Sequence, residues 1–143
     1  MITQVDEALC RLIAPYLPAG TVIRLDPPKP TWQTEAQVSS VDLFLFALHD
    51  AGAPAGVVRG GKRCALSYLV TARSDTVRGE HALLDGSLRA LLETEQLRTE
   101  LAEECLPIGL SIGDLDPTGL WASLGMPARA AFVVTVTAGL STG

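Results

Sequence analysis

The segment Gly56-Val57-Val58-Arg59-Gly60-Gly61-Lys62-Arg63 carries two glycines and a lysine at the spacing of a phosphate-binding loop, which offers backbone amides and an ammonium to a nucleotide. It matches through Lys62 and then fails, because Arg63 stands where serine or threonine would ligate magnesium. Such a loop must also open a helix, since the amides of a helix N-terminus face the phosphates. The residues that follow, Cys64 to Ala72, alternate instead as a strand does. The segment therefore reads as a hairpin tip carrying Arg59, Lys62 and Arg63, a basic spot suited to salt-bridge recognition of an acidic partner surface.

The remaining reactive residue types do not fall into catalytic spacings. His81 and Asp85 lie one helical turn apart, but two ligands do not make a metal site, and a surface ion pair accounts for them. Asp114 and Asp116, with Glu100, Glu103 and Glu104 upstream, read as a solvated helix end followed by an Asx-type turn. Cys10, Cys64 and Cys105 are odd in number and widely spaced, which fits buried free thiols and neither a disulfide framework nor a CxxC pair. No GxSxG elbow nominates a serine nucleophile. The reading is of a protein without catalytic residues, cofactor or metal.

The two tryptophans lie in irregular sequence. Trp121, flanked by Leu120 and Leu124, reads as core, whereas Trp32, after Pro30, either plugs the edge of the domain or anchors an interface. Asp26 heads the proline-rich loop before it. Asp26, Trp32, Arg59, Lys62 and Arg63 are thus the candidate interface residues.

These residues need a scaffold, and the chain has material for one. Its 143 residues, 48% hydrophobic and 19% charged, suffice for a single core, so residues 1–143 are expected to form one domain. A formal charge of −5 repels phosphate backbones and anionic lipid, which argues against nucleic acid and membrane partners. The start, MITQVDEALC, lacks the features of a signal peptide, and no apolar run reaches the roughly 20 residues of a spanning helix; a cytoplasmic location is expected.

Along the chain, Thr3 offers an N-cap hydroxyl, and Val5, Leu9, Leu12, Ile13 and Tyr16 trace a first helix, ended by Pro15 and Pro18. Thr21 to Leu25 is a short strand running into the Asp26-Pro27-Pro28-Lys29-Pro30 loop. Val41 to Leu48 is a strand apolar on nearly both faces; it ends at His49-Asp50 and is followed by a flexible tract through Gly61. Cys64 to Ala72 returns as a half-buried strand of an antiparallel hairpin. From Glu80, a stripe of Leu83, Leu84, Leu88, Leu91 and Leu92 marks a second helix. Pro107 to Ile112 suits a short strand, Leu120 to Gly125 a glycine-stopped helical piece, and Phe132 to Thr137 the last strand. This order predicts an α+β fold, a mainly antiparallel, mixed sheet of four to five strands with two main helices packed on it.

Six pieces in this order resemble a known family: Ile2-x-x-Val5-Asp6-Glu7-Ala8-Leu9, Leu25-Asp26-Pro27-Pro28, Val41-Asp42-Leu43-Phe44-Leu45-Phe46, Leu66-Ser67-Tyr68-Leu69-Val70-Thr71-Ala72, Glu80-His81-x-Leu83-Leu84 and Leu120-Trp121-x-x-Leu124-Gly125. Together they are similar to the N-terminal domain of the cap, or tail terminator, proteins of contractile injection systems. The resemblance implies a non-catalytic protein without cofactor, a homo-hexameric ring that ends a sheathed tube, and sheath and inner-tube proteins as partners. A tail-completion or baseplate-adaptor role in the same particle is the alternative, and a nucleotide-binding enzyme would rest on the imperfect phosphate loop alone.

Overall fold

Val5, Ala8, Leu9, Leu12 and Ile13 recur at helical spacing and are the buried residues of α1 (Ile2–Ile13). The computed structural model describes residues 2–33, 38–52, 63–92, 105–113 and 115–140. Thr3 lies inside α1 rather than capping it, because the helix already begins at Ile2. Pro15 ends the helix as expected, and Ala14–Tyr16 tightens into a 3-10 turn.

Among the described residues five strands form one sheet, β1 (Val22–Arg24), β2 (Ser40–Gly52), β3 (Arg63–Arg73), β4 (Cys105–Ile112) and β5 (Ala131–Leu140), in the order β1-β2-β3-β5-β4. With α1, α2 (Val77–Leu91) and α3 (Thr118–Leu124) they make an α+β fold. Only β1 and β2 run parallel; β2–β3, β3–β5 and β4–β5 are antiparallel, so the sheet is mixed. The hairpin expected between the second and third strands is present, but β2 runs on to Gly52, past the end expected at His49-Asp50. Cross-strand bonds to β3 hold those residues in the ladder.

Strand parity gives the sheet two unlike faces. Val41 and Leu43 of β2, Leu66, Tyr68 and Val70 of β3, and Val134 and Val136 of β5 join the buried residues of α1 and α2 in the main core. Tyr68 is fully buried, and its hydroxyl donates to Asp6 Oδ1 of α1 at 2.5 Å, tying helix to sheet. Burial, with the Asp6 hydrogen bond, pushes the phenol well above its ordinary value, so it stays a donor. The opposite face bears a smaller cluster of Trp32, Leu69, Trp121, Met126 and Val133, with Phe44 and Phe46 packed against it. Cys64 to Ala72 was expected to be half-buried. Instead β3, between β2 and β5 and covered on both faces, buries Ser67, Leu69 and Thr71 as fully as Leu66 and Val70.

The second helix is rotated from the leucine stripe. Its buried residues are Leu83, Gly86, Ser87, Ala90 and Leu91, while Leu88 is half-buried and Leu92, just past the helix end, is 66% exposed. A close approach explains the rotation. A Cβ on Gly86 would stand 2.6 Å from the Tyr16 carbonyl oxygen, so glycine lets α2 rest against the turn after α1. The helix begins at Val77, three residues before the expected start, because the Thr76 hydroxyl accepts from Gly79 N at 2.9 Å and caps it. α3 stops as expected at Gly125, in the left-handed region with φ 67°.

Candidate functional site

A charge inside an apolar strand demands a partner, and Asp42 is that charge. Its neighbours Val41 and Leu43 face the helices, so Asp42 points to the other face, opposite Thr71 of β3. Two pairs further along the ladder, and so on the same face, Ser40 stands opposite Arg73. The Ser40 hydroxyl donates to Asp42 Oδ2 at 3.1 Å, Arg73 Nε donates to Ser40 Oγ at 3.3 Å, and Arg73 Nε lies 3.9 Å from Asp42 Oδ2. Asp42 is fully buried and Arg73 is 5% exposed.

Trp32 roofs this cluster. The 3-10 turn Pro30–Gln33, fastened by the bond from Trp32 N to Lys29 O at 3.0 Å, carries the indole over the Arg73 guanidinium, 4.3 Å from the ring centroid. The Arg129 guanidinium lies 5.3 Å from the same centroid. Arg129 Nη2 also reaches Glu80 Oε2 of α2 at 3.2 Å and donates to Ala72 O at 3.4 Å. Two cations thus hold one aromatic ring, the contact of the nearly buried Arg73 contributing on the order of 2 kcal/mol. The result is a clamp that fixes the loop between β1 and β2 to the sheet. Loss of hydration pushes the Asp42 carboxyl above its ordinary value, against the lowering effects of Ser40, Arg73 and Arg24, with Asp26 adding to the rise.

The nominated residues separate in this frame. Trp32, 3% exposed, is the clamp's centre, so burial within its own chain takes it off the surface. Asp26 is exposed in the loop that Trp32 holds, beside Leu25 at 46% exposure. Arg63 begins β3, and its guanidinium donates to Ala51 O at 3.4 Å across the hairpin. Arg59 and Lys62 lie outside the described residues, as do Asp114, Glu100, Glu103 and Glu104. Because a strand starts at Arg63, the phosphate-loop pattern does not lead into a helix.

The other candidates take ordinary roles. His81 is exposed, and Asp85 pairs with Arg89 at 3.3 Å rather than with the histidine. Asp116 Oδ1 accepts from Thr118 N at 3.0 Å and from its hydroxyl, the expected Asx-type turn, and these bonds lower its carboxyl below the ordinary value. Cys10 and Cys64 are free as expected, though half-buried rather than buried. Burial, with Asp6 and Glu7 nearby, raises the Cys10 thiol and blunts it as a nucleophile.

Among the described residues, no three His, Cys, Asp or Glu side chains converge to hold a metal, and no helix is long and apolar enough to cross a membrane. A groove of about 310 Å³ at the start of α2, bordered by Pro18, Thr21, Ser39, Ser74, Gly79 and Leu83, is lined without an ionisable side chain. The buried cluster of Asp42, Ser40, Arg73 and Arg129 was missed in the sequence. Its signal was Asp42 itself, an acid near the start of the apolar run Val41 to Leu48.

No protein-family model matches the chain, and no curated protein matches it in sequence. Solved structures do. The chain is similar to the sheath/tube terminator of PVC, an extracellular contractile injection system, in its extended state, with a TM-score of 0.75 and 21% identity over 100% of this chain and 57% of that one. It is also similar to the tube-terminating cap of the anti-feeding prophage, AFP, with a TM-score of 0.62 and 20% identity over 97% of this chain and 55% of that one. The chain spans a little over half the length of each. Over its whole length it therefore shares its fold with a terminator of contractile injection systems, the likeness that its six sequence pieces carry.

Proposed function

We propose that this chain is a terminator domain that closes the tube or sheath of a phage-tail-like contractile injection particle, assembled in the cytoplasm as a hexameric ring and doing no catalysis. The observation that carries the reading is the superposition of the entire chain on a sheath/tube terminator at a TM-score of 0.75. The geometry is compatible with it. The sheet has two unlike edges, a three-residue parallel strand on one side and β4 on the other. Unlike edges suit a head-to-tail contact, which makes a ring when its rotation closes. The buried Asp42–Arg73 cluster lies against Trp32, where it holds a loop in place, and this supports a structural role.

On this reading the partner-facing groups are the clamped loop with Leu25 and Asp26, and the basic residues Arg59 and Lys62, which precede β3, with Arg63 at its start. Mass measurement should find a species at six times the 15.1 kDa protomer, alone or on addition of tube or sheath protein. Persistent monomer in both conditions would refute the ring. Deleting the gene should leave tubes or sheaths of uncontrolled length, and particles of normal length would refute the terminator role. A label on the subunit that decorates the baseplate end would point to an adaptor instead.

A further inference from the structure

We propose that the sheet surface beneath Trp32 binds one buried water molecule, bridging the carboxylate of Asp42 to the hydroxyl of Thr71. The two residues stand directly opposite each other on β2 and β3, so their side chains share a face. Both are fully buried. Asp42 Oδ2 is engaged by Ser40, but Asp42 Oδ1 and Thr71 Oγ1 have no hydrogen-bond partner in the protein.

Buried polar atoms are rarely left so, because each unmet group forfeits its hydration. Opposed side chains start from Cβ atoms about 4.5–5.5 Å apart, so the two polar atoms border one small space, in which a water can donate to the carboxylate oxygen and bond the hydroxyl. A third group on the same roofed surface, Arg129 Nε, is buried and likewise unpartnered, while the Nη2 atom of that guanidinium bonds the carbonyl of Ala72, next to Thr71.

Charge selects the occupant. Arg73 Nε lies 3.9 Å from Asp42 and Arg129 borders the same tryptophan, so a metal cation is repelled. The Asp42 carboxylate in turn repels an anion. A neutral molecule that both donates and accepts, of the size a gap between two strands admits, is water. With Trp32 as the roof, it is enclosed when the loop docks and shares in holding that loop.

The test is a crystal structure of the full chain at a resolution that shows ordered solvent, with the stability of two variants beside it. A density peak within hydrogen-bond distance of both Asp42 Oδ1 and Thr71 Oγ1 is expected. A direct bond between the two atoms, or a dry gap, overturns the proposal. Thr71→Val keeps the shape and removes the hydroxyl. If water joins it to Asp42, the folding equilibrium constant should fall about fivefold or more, while Thr71→Ser keeps the peak. If the hydroxyl is merely orphaned, Thr71→Val leaves stability unchanged or raises it, and the proposal fails without need of a crystal.

Discussion

The two faces of the sheet are held by different means. On the helical face, α1 and α2 press a continuous apolar layer on Val41, Leu43, Leu66, Val70 and Val134, and the Tyr68 to Asp6 bond adds a polar tether. On the other face a 3-10 turn and a seven-residue helix supply few apolar side chains, and Asp42, Arg73, Arg129 and Trp32 complete the packing. The contrast teaches that a face covered by long helices rests mainly on area, whereas one covered by loops needs directional contacts to fix them. Nondirectional burial tolerates small shifts; guanidinium stacking and buried hydrogen bonds do not.

The helical face should break most severely. Leu91→Asp puts a carboxylate into the main core and should abolish cooperative unfolding in urea, whereas Leu92→Asp, one residue on but 66% exposed, should stay within about 0.5 kcal/mol of the parent. Equal effects would show the face of α2 to be misassigned. Trp32→Ala should cost about 3 kcal/mol, since it removes the roof of the second face and wets the Asp42–Arg73 pair. Protease cutting in the β1–β2 loop should rise with it while the helices stay protected. A uniform rise over the whole chain would mean that the faces are not separable.

A smaller loss, about 1–3 kcal/mol, is expected for Gly86→Ala, whose methyl would meet the Tyr16 carbonyl at 2.6 Å. Gly119→Ala, with nothing within 4 Å of the added methyl, should be neutral or slightly stabilising in the same urea titration. The finest test is pH. Because the folded state raises the Asp42 carboxyl, with Arg73, Arg24 and Asp26 around it, the folded chain binds that proton more tightly than the unfolded one. The group's contribution to stability is full below the unfolded carboxyl value and is lost as pH rises through the folded one. The urea midpoint of the parent, relative to that of Asp42→Asn, should therefore rise on acidification through that window. A relative midpoint that falls there would show Asp42 to be stabilised as the anion.

Much of the helical face could be read from the residues. Val5, Leu9, Leu12 and Ile13 recur at one helical period, and Leu66, Tyr68 and Val70 at a strand period, because burial on one side imposes a repeat. The leucine stripe of the second helix misled at Leu88 and Leu92, since the chain buries Gly86 and Ser87 instead, where two backbones approach too closely for leucine. The second face left no repeat. Arg73 and Arg129 come from the ends of different segments and meet at Trp32 only after β2, β3 and β5 have paired. Nothing local marks such a meeting, apart from the lone acid at Asp42 among hydrophobic neighbours. The candidate interface fared similarly: loop composition pointed to Asp26 and Trp32 together, but one is exposed and the other buried, a difference decided by which side chain finds cations to stack on.

The position of β3 has a kinetic corollary. Its amides bond to strands on either side and lie under cover above and below, so their protons should trade with deuterium only when the entire molecule comes apart. β1, a three-residue rung at the rim, should trade its protons through brief local fraying. If the chain is built into a ring, the amides that slow on assembly will be those of the rim, and they will mark where neighbours touch.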